Sequence, residues 1–126
     1  MSWKFNDSEP IFRQIFNRIR GMILRGELKP GDAVPTVRAI AEEAAVNPNT
    51  VQRALAELDS SGIVINNGTS GRTVTTDIRA IERERSAAAE ELADRFSGAA
   101  ESIGITAEQL LKLIIGKKGD DKNESC

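Results

Sequence analysis

The sequence predicts a mainly α-helical protein with one small β-hairpin. Three observations carry that expectation. Apolar residues recur every three or four positions along most of the chain, the period of a helix with one buried face. Two β-prone runs, 63–66 and 72–76, flank the Asn67-Gly68 step, a strong hairpin signal. Between residues 36 and 62, two short helical patterns are joined by a three-residue turn, the spacing of a helix-turn-helix.

In chain order, Pro10 opens a helix whose Phe12, Ile15, Phe16, Ile19, Met22 and Ile23 form one stripe. Its other face carries Arg13, Gln14, Asn17 and Arg20, and it stops near Gly26. Leu28-Lys29-Pro30-Gly31-Asp32 is a turn, because proline fixes φ and the glycine after it is free to take positive φ. Val34-Pro35-Thr36-Val37-Arg38 starts a second helix with Thr36 as its cap and Val37, Ile40, Ala41 and Ala44 facing inward. Arg38 lies two residues past that cap, at the positive end of the helix dipole, where a phosphate is favoured. Solvation of the helix start is the plainer role for the same guanidinium.

Ala44-Ala45-Val46 connects tightly into the stretch around which the chain is organised, residues 46–58. Asn47 caps a third helix, and Pro48 takes its first position, where a missing N–H costs nothing. At about 100° per residue, Val51, Ala54, Leu55 and Leu58 share one face. Asn49, Arg53 and Ala56 share the opposite one, with Gln52 at its flank. Amide and guanidinium groups can bond base edges in pairs, and a small residue lets the helix axis approach closely, so this face suits a major groove. Taken alone, the segment fits a plain amphipathic surface helix equally well.

Ser61-Gly62 ends the third helix, with Gly62 past its C-terminus. Residues 63–66 form a strand, 67–71 a hairpin loop and 72–76 the return strand, which makes residues 1–77 a winged helix-turn-helix able to close its own core. Gly68 and Gly71 leave the loop tip bare, and Arg72 beside them is placed to enter a minor groove or hold a phosphate, unless the hairpin is inert.

From Ile78 to about Ile103 a long helix carries Ile78, Ile81, Ala88, Leu92, Phe96, Ala99 and Ile103 on one stripe, and Gly104 breaks it. Thr106-Ala107-Glu108-Gln109 is a capping box that launches Leu110 to Ile115. Two helices of this apolar content either fold back on the winged helix or pair with a second chain. The expectation is a homodimerisation region over 78–116, held by Ile81, Leu92, Phe96, Leu110, Leu111 and Ile114. Arg85 falls within the arc of Ile81, Ala88 and Leu92, where a charge is expensive unless paired. It either snorkels to the edge, meets Glu82 or a partner-chain carboxylate, or anchors an anionic small-molecule effector. The polar residues 117–126 are expected to be a disordered tail.

Composition narrows the function. The chain has no histidine, and its single cysteine is the last residue, Cys126, so no intrachain disulfide, Cys/His metal site or cofactor is expected. An acyl-transfer or metal-based enzyme lacks its constituents. No apolar run suits a signal peptide or a membrane span, so a cytoplasmic protein that does not engage a membrane is the expectation. Residues 1–77 carry nine basic and nine acidic side chains, so a DNA reader here relies on charge placement rather than bulk basicity. A winged helix that docks a protein partner is the competing class.

Several linked motifs occur in order: Pro10-Ile11-Phe12-Arg13-Gln14-Ile15, Gly26 to Asp32, Val34-Pro35-Thr36-Val37-Arg38 and Val46-Asn47-Pro48-Asn49-Thr50-Val51, followed by Leu58 and Gly62. Over residues 10–76 the chain resembles the DNA-binding domain of GntR-family bacterial transcription regulators. Its two helices after the wing resemble the YtrA-like subfamily, in which they form the dimer interface. The resemblance implies a dimeric transcription regulator, expected to be a repressor, that binds a palindromic double-stranded DNA operator, is released by an effector and controls a transporter operon. It places DNA contacts at Arg38, Asn47, Asn49, Thr50, Gln52 and Gly68, with Arg53 compensating for the Gln52 that replaces a basic residue; Thr36 at the start of the second helix and Arg72 at the wing are further DNA-binding candidates. The wing departs from the family pattern: it is one residue longer between its glycines and lacks an aromatic.

Overall fold

The two helices of the helix-turn-helix each begin at a side chain that accepts one of their free N–H groups, Thr36 from Ala39 and Asn47 from Asn49. In the computed structural model, which describes residues 2–124 with side-chain burial described through Gly119, the elements run in this order. Helix α1 is Ile11–Leu24, α2 is Val37–Ala44 and α3 is Pro48–Ser61; then come strand β1, Val64–Asn66, a 3₁₀ turn at Gly68–Ser70, strand β2, Arg72–Val74, and helices α4, Ile78–Ser102, and α5, Ala107–Glu124. The mainly α architecture and the winged helix-turn-helix are those expected from the sequence.

Between α2 and α3, Ala45 takes a left-handed conformation at φ 55, and the Val46 N–H donates back to the Ala41 carbonyl at 3.2 Å. That closes the turn in three residues. At the other end of α3, Gly62 ends the helix at φ 85, a conformation that a side chain would strain.

The wing pairs antiparallel, with Val64 opposite Val74 and Asn66 opposite Arg72. Both strands are shorter than the sequence pattern suggested. Ile63 and Thr75 instead flank the ladder as buried residues, joined by a Thr75 N–H to Ile63 carbonyl bond of 2.9 Å. The turn before α2 adds a third edge: Ala33 bridges Thr73, and the Val34 N–H donates to the Arg72 carbonyl at 2.9 Å. Nothing in the β-propensity of 31–34 signals this pairing, since it depends on β2 being presented beside it.

Ile15, Phe16, Ile19 and Ile23 of α1, Ile40 and Ala41 of α2, the inner face of α3, and Val34, Ile63, Val64 and Val74 make one core. An arm ahead of α1 adds to its edge. Trp3 and Phe5 stack with ring centroids 6.0 Å apart, and the Arg18 guanidinium lies 4.5 Å from the Trp3 ring. The Gln14 amide straps this arm down, accepting from the Asn6 N–H at 3.1 Å and donating to the Asn6 and Glu9 carbonyls at 2.9 and 2.8 Å.

Two expectations are corrected. The division at residue 77 moves: one compact unit extends to Arg85, and a second begins at Ser86. The reason is that the first turns of α4 complete the winged-helix core. Ile81 is 7% exposed within it, so it packs into the first unit rather than serving a dimer surface, and Arg20 meets Glu84 at 3.1 Å. The tail beyond 116 is not an irregular segment, because α5 continues through Glu124; Lys117 and Lys118 are good helix formers and no proline interrupts them. The remainder of the expected tail, Ser125 and Cys126, lies outside the described residues.

In the second unit, Ala100 is fully buried and Gly104, at φ 79, ends α4. The capping box forms as read: the Gln109 N–H donates to Thr106 Oγ1 at 3.1 Å, and the Thr106 N–H donates to Gln109 Oε1 at 2.8 Å.

A chain ending at Asp77 should be less stable than one ending at Arg85 by about 2–3 kcal/mol, because it forfeits the burial of Ile81. Urea titration of the two proteins checks this, and equal midpoints would contradict the assigned boundary.

Candidate nucleic-acid interface

Helix α3 has one face committed to the core. Val51, Ala54, Leu55 and Leu58 are fully buried. Because the helix cannot rotate without exposing them, Asn49, Gln52, Arg53 and Ala56 are held outward, and all four are exposed; Thr50 is half-buried at the edge of this face. The structure thus brings the expected recognition residues together on one surface.

Two expected contacts also act as caps. Thr36 Oγ1 accepts the Ala39 N–H at 3.0 Å, and Asn47 Oδ1 accepts the Asn49 N–H at 2.8 Å. Each keeps donors for another acceptor: the hydroxyl proton of Thr36 and the amide N–H groups of Asn47. Arg38, one residue into α2, is exposed, and its Nε lies 3.1 Å from Glu42 Oε1. A surface pair of this kind is worth about 0–1 kcal/mol, so the guanidinium can leave it for a phosphate at small cost. Val37, Ala41, Val46 and Pro48 line a depression of about 420 Å³ in the angle between α2 and α3, with Arg38 and Glu42 at its rim.

The wing behaves differently from the expectation for its basic residue. Arg72 donates to both carboxylate oxygens of Asp59 near the end of α3, through Nε at 2.9 Å and an outer nitrogen at 3.0 Å. With its side chain only 13% exposed, Arg72 is a strut between wing and recognition helix rather than a free cation at the tip. The Gly68 N–H is likewise engaged, donating to Asn66 Oδ1 at 3.0 Å. What the tip exposes is therefore the 67–70 loop with the polar side chains of Asn67, Thr69 and Ser70, and Gly71 at φ 84 turns the chain back into β2.

Arg85 also has partners. It pairs with Glu82 and donates to the Leu24 carbonyl, the last of α1, at 2.6 Å. Among the expected dimerisation residues, Leu92, Leu111 and Ile114 are 60%, 50% and 40% exposed, while Phe96 and Leu110 are half-buried.

Sequence reasoning missed Asp59, Phe12 and Glu57. Asp59 lies 13 residues from Arg72, a separation no local rule connects. Phe12 was read as core only, yet the Arg53 guanidinium lies 3.7 Å from its ring centroid. Glu57 pairs across to Arg13 of α1 at 3.2 Å.

The family described as bacterial regulatory proteins, gntR family, matches residues 12–74, from the start of α1 to the last residue of β2. The chain belongs to the gntR family. As a member it is a DNA-binding transcription regulator. This gntR-family chain is 32% identical over 112 residues to the HTH-type transcriptional regulator YhcF of Bacillus subtilis (strain 168), covering 89% of itself and 93% of that protein. It is 44% identical over 57 residues to the HTH-type transcriptional repressor YtrA of the same organism, covering 45% and 44%. A GntR-family transcriptional regulator from Listeria monocytogenes superposes with a TM-score of 0.79 at 34% identity, covering 89% of this chain and 98% of that one. The similarity to YhcF and to the Listeria regulator continues past the wing into the C-terminal helices.

Asp59→Ala and Arg72→Ala should each destabilise the gntR-family domain by about 1.5–3 kcal/mol, since each leaves a half-buried charge without its partner. The double substitution should cost less than the two singles added together. Chemical denaturation of the four proteins measures this, and strict additivity would mean the strut carries no coupling energy.

Proposed function

We propose that this regulator is a homodimeric repressor that binds a palindromic operator, one winged helix per half-site. The observation that carries the proposal is the pairing of a fully buried inner face of α3 with an exposed outer face of Asn49, Gln52, Arg53 and Ala56. Those groups supply paired donors and acceptors for base edges in a major groove. Thr50, Thr36, Asn47 and Arg38, at or beside the starts of α2 and α3, suit the flanking phosphates, which set register without reading sequence. The wing backbone around Gly68 lies against the neighbouring sugar-phosphate chain, held at its angle by Arg72 and Asp59.

The dimer rests on the second unit. Leu92, Ile103, Leu111, Leu113, Ile114 and Ile115 are all at least 40% exposed there, an apolar surface that a second copy would cover. Phe96 and Leu110 lie at its edge, and Ile81 is excluded from it by its place in the first unit. A two-fold partner matches a two-fold operator, and the second half-site contact then becomes intramolecular. Similarity to the repressor YtrA supports repression as the sign of regulation. Release by a small effector and control of a transporter operon belong to the same proposal. Arg85, which ties the start of α4 to the last carbonyl of α1, is the place where an anionic effector would act. A cytoplasmic location follows from the DNA partner, and no helix among the described residues is long and apolar enough to cross a membrane.

Selection of bound sequences from random duplexes tests the whole proposal. A two-fold symmetric sequence should be enriched, with half-sites about one or more whole turns apart. Arg38→Ala should weaken binding to it by about 1–3 kcal/mol if Arg38 meets a guanine, or flatten the salt dependence by roughly one unit if it meets a phosphate. Full-length protein should sediment as a dimer at micromolar concentration. A chain ending at Arg85 should be monomeric and bind the palindrome about 10²–10⁴-fold more weakly. A monomeric full-length protein would overturn the dimer, and enrichment of no sequence would overturn the operator.

A further inference from the structure

Arg53 and Glu57 stand four residues apart on α3, the spacing at which an arginine and a carboxylate ordinarily pair along a helix. They do not pair here. Glu57 Oε2 lies 3.2 Å from the Arg13 guanidinium on α1. Arg53 lies against the Phe12 ring of α1, with its guanidinium carbon 3.7 Å from the ring centroid. Arg13 approaches the Phe12 and Phe16 rings at 5.5 and 5.2 Å, so it is itself fixed by the same aromatic surface. Among the described residues, no carboxylate is paired with Arg53.

The start of α1 therefore does two things to one side chain of the recognition helix. The Phe12 ring, half-buried against the core, supports one face of the guanidinium and restricts its rotamers. Arg13 draws away the acid that would otherwise neutralise it. A guanidinium lying on a ring keeps its N–H donors in its own plane, and Arg53, like Asn49 and Ala56, is exposed. A planar fork held in place before binding loses less freedom on contact than a mobile one, and its geometry matches the O6 and N7 acceptors of guanine.

We propose that Phe12 is a positioning residue for base readout, holding Arg53 so that it selects a guanine in each half-site, with Arg13 keeping Glu57 from competing. This rests on the DNA-reading function proposed above and adds to it that helix α1 sets the specificity of α3.

The experiment is selection from random duplexes with the full-length chain and six variants. The wild type should prefer guanine at one symmetry-related pair of positions. Arg53→Ala should lose about 5- to 150-fold of that preference at this pair only. Phe12→Leu, which keeps the apolar volume but removes the ring, should lose part of the same preference at the same pair, while Phe12→Tyr should retain it. Phe12→Leu combined with Arg53→Ala should be no worse than Arg53→Ala alone. Arg13→Ala changes a surface side chain, so it tests the idea without disturbing the core. It should also blunt the guanine preference, because Glu57 becomes free to pair with Arg53, and adding Glu57→Gln should restore it.

A uniform loss of affinity in Phe12→Leu with no change at the guanine pair would overturn the proposal and leave Phe12 as core. So would an Arg53→Ala protein that selects the wild-type sequence. If the wild type itself enriches nothing, the operator reading has failed, and this inference fails with it.

Discussion

The constraint on which the rest of the structure depends is the double commitment of helix α3. Its inner face is buried to the last atom at Val51, Ala54, Leu55 and Leu58, between α1, α2 and the wing. Burial of side chains of this size is worth roughly 1.5–3 kcal/mol each for the larger ones, so any rotation of α3 about its axis is opposed several times over. The outer face inherits that rigidity without contributing to it. The short side chains of Asn49 and Ala56 need no further support than the core on the far side, whereas the long Arg53 side chain has the Phe12 ring beside it as well.

The electrostatics of the first unit follow from the same economy of placement. Its basic and acidic side chains are equal in number up to residue 77, yet their arrangement is not neutral. Several acids are bound inward or sideways by specific partners: Asp59 by Arg72, Glu84 by Arg20 and Glu57 by Arg13. Arg38 is left on the surface in a weak exposed pair, and Arg53 against an aromatic ring. Guanidinium groups stacked on Trp3, Phe12 and Phe16 recur along α1, which lets a chain with only 4% aromatic residues hold its arginines in defined positions. Bulk charge is therefore a poor guide to what this surface attracts.

The link between the two units is a single helix whose ends answer to different neighbours. The first turns of α4 belong to the winged-helix core through Ala80 and Ile81, and Glu84 and Arg85 bind Arg20 and the end of α1. Beyond Ser86 the helix belongs to a unit with a small buried interior and a large apolar exterior.

By itself the sequence determined the starts and stops that a neighbour within one turn specifies, though not how far α5 runs beyond residue 116. The caps at Thr36 and Asn47, the proline at position 48, the glycine stop at 62 and the capping box at Thr106 all formed where the residues require, because each either satisfies a backbone group within one turn or fits the local backbone angle. Helical periodicity likewise identified the inner and outer faces of α3, and the linked motifs identified the family. Tertiary structure decided what those faces and charges meet. That Arg72 bonds Asp59, that Arg53 lies on Phe12, that Ile81 joins the first core and that Ala33 extends the wing all involve residues more than a dozen positions apart. No spacing rule reaches that far, since such partners are selected by the packing of whole elements and only then by the chemistry of the side chains they bring together.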